Sequence, residues 1–179
     1  MIRLVEDIIN LSRLDEGGRD MERRDVDLFT LAQETVSVLS ETANRAGVTL
    51  TLTGTSAPLH GIPQLLSGIL TNLCDNAIKY NRPGGRAAVD VCPTSTEVTL
   101  TVSDTGIGIP AEHCSRVFER FYRVDKSRSK AVGGTGLGLS IVKHAAMIHN
   151  AKISLTSTPG EGTTVAIRFP RTTDSPKED

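Results

Sequence analysis

The residue pattern predicts an α+β fold, a two-layer sandwich in which a mixed sheet carries long helices on one face. Three observations point there. Segments 27–45 and 63–80 repeat apolar residues three and four apart, the period of a helix with one buried face. Period-two alternation of strand type recurs at 48–53, 86–92, 97–103, 151–157 and 163–169. Four of these strands come as two pairs closed by short turns, at Pro93-Thr-Ser95 and at Pro159-Gly-Glu-Gly162.

Taken in order, residues 1–15 read as one amphipathic helix, with Met1, Leu4, Ile8 and Leu11 on a face widened by Val5 and Ile9. It begins mid-pattern with no capping residue, so a longer parent helix is expected upstream. Asp15-Glu-Gly-Gly-Arg-Asp20 stops it. The organisation expected is a helix remnant over 1–16, a linker over 17–26, one domain over 27–171 and a frayed tail over 172–179. Asp27 caps the next helix, which runs to about Arg45 with Leu28, Leu31, Ala32, Thr35, Val38 and Leu39 inward. Pro63 opens the following helix in its first turn, and Leu66, Leu70, Leu73 and Ala77 form its buried stripe. Asn81-Arg-Pro-Gly-Gly85 breaks it. A short helix is expected after Pro110, and another over 136–149 with Ile141, Val142, Ala145 and Ile148 on one face. Between them, 123–134 is polar, basic and glycine-ended, the pattern of a mobile loop.

Composition narrows the function classes. A net charge of −1 and 3% aromatic residues give neither the electrostatics nor the stacking platforms of a nucleic-acid binder. No apolar run approaches the roughly 18 residues that span a bilayer, and Glu6 and Asp7 interrupt any signal-peptide pattern. The segment is therefore expected to be cytoplasmic, without direct membrane contact. Cys74, Cys92 and Cys114 match no disulfide or zinc spacing and read as buried structural thiols.

Three motifs carry chemistry. Asn72, Asn76 and Lys79 share one stripe of the helix that buries Leu66, Leu70 and Leu73. Such a stripe fits surface polarity with a capping role. It fits equally a ligand-facing row in which an Asn oxygen holds Mg²⁺ and a lysine neutralises phosphate. In Ser103-Asp-Thr-Gly-Ile-Gly-Ile-Pro110, a strand ends in a carboxylate followed by two glycines that let backbone approach a ligand. Asp104 suits an exocyclic amino group, although it could merely cap the turn. The run is not a dinucleotide fingerprint, since no parallel βαβ unit precedes it and Pro110 removes an amide. Gly133-Gly-Thr-Gly-Leu-Gly-Leu-Ser140 opens a helix, where glycine-freed amides bind phosphate, and Arg123, Lys126, Arg128 and Lys130 precede it. Those cations complement a triphosphate or form a solvated basic loop.

The order and spacing of the motifs go further. Asn72-Leu-Cys-Asp-Asn-Ala-Ile-Lys-Tyr80, Asp104-Thr-Gly-Ile-Gly-Ile-Pro110, Phe118-Glu-Arg-Phe-Tyr-Arg123 and Gly134-Thr-Gly-Leu-Gly-Leu139 resemble the N, first glycine, F and second glycine boxes of sensor histidine kinases. Gly160-Glu-Gly-Thr-Thr164 resembles their final turn, and Leu11-Ser-Arg-Leu14 the end of their dimerisation and phosphotransfer hairpin. The resemblance implies the Bergerat ATP-binding sandwich, with ATP and Mg²⁺ bound. Asn76 would hold the metal, with Asn72 beside it. Lys79 would reach phosphate, Tyr80 would line the nucleotide pocket and Asp104 would bond the adenine amino group. Gly106 and Gly108 would allow close approach. Gly134, Thr135, Gly136, Leu137 and Gly138 would cradle phosphates, Thr164 would contact nucleotide, and Phe118, Phe121 and Arg123 would anchor and arm a lid. The implied partners are a response regulator receiver domain and a second copy through the hairpin, in a parent anchored in the membrane.

One departure stands out. The family's acceptor is a His followed by an acidic residue, with an Arg and a Pro soon after, and His60, His113, His144 and His149 do not stand in such a box. All four read as structural or surface residues, so the acceptor is expected upstream and self-phosphorylation is not. The competing readings are a Bergerat ATPase, a non-catalytic nucleotide-binding interaction domain and an anti-sigma-type serine kinase. The first needs a water-activating Glu where Asn72 stands, the intact boxes weigh against the second, and the hairpin remnant weighs against the third.

Overall fold

The computed structural model describes residues 21–124 and 134–171. The helix expected over 1–16, most of the basic loop and the tail lie outside the described residues. The described elements are β1 (Arg24–Asp27), α1 (Leu28–Arg45), β2 (Thr49–Gly54), β3 (Pro58–Gly61), α2 (Pro63–Lys79), β4 (Arg86–Pro93), β5 (Glu97–Asp104), α3 (Ala111–Cys114), α4 (Gly138–Ile148), β6 (Lys152–Thr158) and β7 (Gly162–Pro170).

The sheet has five strands in the order β2-β4-β5-β7-β6. β2 runs parallel to β4, with β3 and α2 intervening in the chain as the crossover, and every other neighbour is antiparallel. The sheet is therefore mixed, as the sequence predicts. Its inward residues Val89, Val91, Leu100 and Ile167 have no exposure, and they meet Leu66, Ile69 and Leu70 of α2, equally buried. Each fully buried side chain of this size contributes about 1.5–3 kcal/mol. α2 is the central helix, with α1 on one flank and α4 on the other. Its central place leaves the polar residues on its remaining stripe pointing along the α4 side.

Asp27 caps α1 as expected. Its Oδ1 accepts from Phe29 N (2.9 Å) and Thr30 N (3.4 Å), and also from Ala57 N (3.1 Å), while the Ser56 hydroxyl donates to Oδ2. Burial raises the carboxyl's proton affinity, but these four donors outweigh it and hold the group below its usual range.

Several expectations need correction. Val38 is 77% exposed, and the inward row of α1 runs Leu28, Ala32, Thr35, Leu39, Ala43 instead. Part of the expected linker is ordered as β1, which pairs antiparallel with β3 in a separate two-stranded ribbon. Both strands are four residues long and lack apolar alternation, so neither carries a local signal. Only Cys74 is a buried thiol: burial, and then the neighbouring Asp75 charge, push it up to about 12. Cys92 is exposed and Cys114 half-buried.

Candidate functional site

The site forms where the C-terminal half of α2 meets the start of α4 and the end of β5. Asn72 is locked by its own helix, its Nδ2 donating to Gly68 O at 2.8 Å. Its Oδ1 consequently faces α4: a Cβ placed on Gly138 would lie 2.8 Å from it and push the amide aside. Asn76 stands half-buried one turn further on. Lys79 is held by Asp75, Nζ to Oδ2 at 2.7 Å, in a pair mostly screened from solvent. Tyr80, at the C-cap of α2, brings its hydroxyl within 3.0 Å of where Gly134 would carry a side chain. Two residues of the α2 stripe thus touch two glycines of the second glycine motif, as their sequence order alone could not show.

At the end of β5, Asp104 Oδ1 accepts from Gly106 N at 2.8 Å. Burial pushes this carboxyl above its ordinary value, and the Gly106 and Thr163 N–H groups pull it back down. The turn-capping reading of Asp104 is therefore realised. A carboxylate has about four lone-pair sites, so acceptor capacity remains for a ligand.

The two glycines that follow need a different explanation from the one their motif suggests. A Cβ on Gly106 would lie 2.2 Å from Tyr80 O, and one on Gly108, with φ +67°, 2.0 Å from Thr158 O. What approaches them closely is the protein's own backbone. Ile107 N donates to Tyr80 O (3.0 Å) and Gly160 N to Ile107 O (2.8 Å), which stitches the turn to α2 on one side and to the β6–β7 turn on the other.

Thr164 is also corrected. From Val165 onward β7 buries Val165, Ile167 and Phe169 and leaves Ala166, Arg168 and Pro170 more open, so by the strand's period Thr164 faces away from the helices. Thr163 pairs in register with Asp104 and shares its face. The alternation of 163–169 carried this signal in the sequence, but the motif resemblance pointed to Thr164.

The segment after α3 bears the lid residues. Phe118 is half-buried and Phe121 is 61% exposed, so Phe121 does not anchor through its ring. Its backbone does: Phe121, at φ 63°, donates from N to Gly136 O at 2.9 Å, and a Cβ on Gly136 (φ +74°) would meet the Phe121 carbonyl carbon at 2.9 Å. Tyr122 shares a hydrogen bond with His113 (Oη to Nδ1, 2.6 Å) beneath the Arg116 guanidinium, 4.3 Å from the ring centroid. Arg123 follows. Its Nε and Nη2 are enclosed and have no hydrogen-bond partner among the described residues. Leu137 is fully buried, so its side chain belongs to the core and only its backbone is available to a ligand. Thr135 Oγ1 accepts from Leu137 N at 3.3 Å, ordering the turn that opens α4.

Three of the four histidines are engaged by neighbouring groups. His60 pairs with Asp25 at the surface, His113 with Tyr122, and His144 is half-buried on α4. His149 is buried with both ring nitrogens engaged.

These residues suit a nucleoside triphosphate. Enclosed Arg123 nitrogens with idle donors match phosphate oxygens, and the start of α4, bonded through Gly136 O to Phe121 two residues away, offers glycine amides. Among the described residues no three His, Cys, Asp or Glu side chains gather into a metal site. The Asn76 amide oxygen is a neutral hard donor of the kind Mg²⁺ takes when phosphates and water supply the other positions.

Comparison with known proteins agrees. The family described as "Histidine kinase-, DNA gyrase B-, and HSP90-like ATPase" matches residues 61–173. The chain is 39% identical over 175 residues to the sensor-like histidine kinase SenX3 of Mycolicibacterium smegmatis, covering 96% of this chain and 45% of that protein. It is 41% identical over 168 residues to the probable sensor histidine kinase TcrY of Mycobacterium tuberculosis, covering 94% and 35%. It therefore spans less than half the length of these relatives. Among solved structures, the mycobacterial sensor histidine kinase MprB superposes with TM-score 0.72 at 27% identity, covering 83% of this chain and 97% of that one. Full-length ShkA in complex with AMPPNP shares the fold, with TM-score 0.82 at 24% identity over 94% of this chain and 35% of that one.

Proposed function

The chain belongs to the histidine kinase-, DNA gyrase B- and HSP90-like ATPase family, as an ATP-binding catalytic domain of the sensor histidine kinase type, and on that premise we propose that it moves the γ-phosphoryl group of ATP to a histidine on an upstream helix. The phosphohistidine would then serve an aspartate of a response regulator receiver domain. The parent would act as a homodimer through its helical hairpin and be anchored in the membrane, although among the described residues no helix is long and apolar enough to cross one.

The observation that carries this reading is Arg123. An enclosed guanidinium without partners costs several kcal/mol unless an anion meets it, and Phe121, two residues away, is bonded to the glycine turn that opens α4. The γ-phosphate is the anion we assign. Phosphoryl transfer needs little covalent help, so positioning and charge neutralisation suffice. Arg123 would neutralise the transferring group. Glycine amides at 134, 136 and 138 would hold the phosphates, and Asn72 would fix the approach of α4 to α2. Lys79 would reach phosphate only by sharing itself with Asp75. Asn76 would hold Mg²⁺, which when bound neutralises phosphate charge. Asp104 and Thr163 would face the adenine amino group, and Tyr80 would close the pocket under Gly134.

Hydrolysis is disfavoured by Asn72. An amide cannot take a proton from water, and this one already donates to Gly68 O.

The test pairs binding with labelling. The chain alone, with γ-labelled ATP and Mg²⁺, should bind nucleotide yet stay nearly unlabelled, and label should appear on an added helical hairpin carrying the acceptor histidine. Stoichiometric phosphohistidine on His60, His113, His144 or His149 would refute the reading. Asp104→Ala should weaken ATP and shrink its advantage over GTP, whose base presents a carbonyl there. The sign of its effect on the free protein follows from the raised carboxyl: that group opposes folding as pH rises through its folded value. Asp104→Asn, which keeps the turn's acceptor, should therefore melt higher than the parent at pH 7 and lose the advantage in acid.

A further inference from the structure

Three hydroxyl or carboxyl side chains stand in one row across neighbouring strands, on the face toward the helices. Ser157 of β6 is in register with Thr163 of β7, and Thr163 with Asp104 of β5. Ser157 was singled out by no motif, yet its Oγ makes three contacts. It accepts from Ile109 N at 2.8 Å, it lies 2.9 Å from the carbonyl oxygen of Gly162, and it lies 2.9 Å from Thr163 Oγ1.

The protons in this cluster can be counted. Two oxygens 2.9 Å apart need a hydrogen between them. The Gly162 carbonyl has none to give, so the single Ser157 hydroxyl hydrogen goes to Gly162. The contact between Ser157 and Thr163 must then be supplied by the Thr163 hydroxyl hydrogen. With Thr163 donating, Ile109 N–H takes the second lone pair of Ser157 and all three contacts are satisfied at once, whereas the reverse arrangement would leave the Gly162 carbonyl without its donor. Thr163 is left with lone pairs and no hydrogen for anything that binds beside it. Its neighbour Asp104 is also an acceptor, and its Oδ1 is already committed to Gly106 N.

We propose that Ser157 is a positioning residue for base recognition: it sets the Thr163 hydroxyl as an acceptor beside Asp104, so that this edge of the site selects a base bearing an exocyclic amino group. This rests on the ATP-binding reading given above and deepens it. An amino group carries two hydrogens and meets a row of acceptors favourably. A carbonyl at the same position meets the row as another acceptor and is rejected, because hydroxyl rotation, the usual means of adapting to it, has been removed. Were Thr163 free to turn, it would donate to that carbonyl and discrimination would rest on Asp104 alone.

The experiment titrates ATP and inosine triphosphate, in which a carbonyl replaces the exocyclic amino group and N1 gains a hydrogen, against the full chain in Mg²⁺. The parent should prefer ATP. Ser157→Ala should reduce the ATP-to-ITP preference by about tenfold, the scale set by one misoriented hydrogen bond, mainly through tighter ITP binding. Ser157→Thr, which keeps the hydroxyl, should restore it. A merely structural role would weaken both nucleotides equally and leave the ratio untouched. Since Ser157→Ala also strips partners from Ile109 and Gly162 and could fail to fold, Thr163→Val is a second route that spares both contacts. It should lower the preference likewise, and adding Ser157→Ala to it should change the ratio no further. A parent that binds ATP and ITP equally would overturn the base reading itself. A parent that prefers ATP, with the ratio unmoved in either variant, would overturn this proposal alone.

Discussion

The two ends of α2 follow opposite rules. At its start, the backbone N–H of Ile62 is accepted by His149 Nε2 at 2.9 Å, and His149 Nδ1 donates to Ala145 O at 2.8 Å. Arg23 donates to Ile148 O beside it, Phe169 packs edge-on at 6.0 Å between centroids, and Gly61 leaves the ring its room, since a Cβ there would lie 2.9 Å from Nε2. Asp27, close by in sequence to the ribbon, accepts four hydrogen bonds. Toward the other end of α2 lie an Asp104 whose burial works against its charge and Arg123, whose Nε and Nη2 are enclosed without partners among the described residues. One end is saturated within the chain and stabilises it. The other is left incomplete, a state that costs stability unless something outside the chain completes it.

This contrast can be broken at either end. The largest effect is expected at the incomplete one. Arg123→Ala should slow phosphoryl transfer to an added acceptor hairpin by about 10²–10³-fold, the range for loss of one charge-stabilising group, while the melting temperature holds or rises. A clear drop in melting temperature would show that Arg123 has a structural partner and would erase the contrast.

At the saturated end, Asp27→Ala should cost about 1–2 kcal/mol, the upper range for a helix cap, because the cap also ties Ser56 and Ala57. Nucleotide affinity should not change. Because its donors hold the Asp27 carboxyl low, its contribution is present above the unfolded carboxylate range and is lost as pH falls through the folded value. Denaturant melts at neutral and acid pH should therefore show the gap between parent and variant closing in acid.

The smallest effect sharpens the comparison further. Burial holds His149 below the ordinary 6.5, only partly countered by its bond to Ala145 O, with Arg23 adding to the depression. Its neutral form is the one that accepts from Ile62. The unfolded chain therefore takes up the proton first, and stability is full above 6.5 and falls as the pH drops below it. His149→Gln, less stable at neutral pH, should show a flatter profile between pH 7 and 5 in thermal melts. An unchanged slope would mean that the decline comes from other groups.

Much of the site could be read directly from residue patterns. Asp27 and Pro63 mark helix starts through side-chain acceptors and a fixed φ, which act locally. The buried stripe Leu66-Leu70-Leu73-Ala77 places Asn72, Asn76 and Lys79 on one neighbouring stripe whatever the tertiary context. What escaped was contact between segments distant in sequence. β1 and β3 pair across 28–57 with no apolar pattern in either strand. Val38 satisfies the helical period yet faces solvent, because no element among the described residues covers that side of α1.

Local periodicity therefore determined the helices, most strands, the α2 stripe and the glycine turns, since each follows from dihedral preference and the alternation of apolar residues within a few positions. Tertiary structure alone decided that Thr163 shares the face of Asp104, why Gly106 and Gly108 must lack side chains, and that Ser157 meets Thr163. Each of these depends on strand register or on a backbone approach between separate segments so close that an added Cβ would lie 2.0–2.2 Å from a carbonyl oxygen. A shift of one residue in register exchanges the two faces of a strand while leaving its own pattern of residues unchanged.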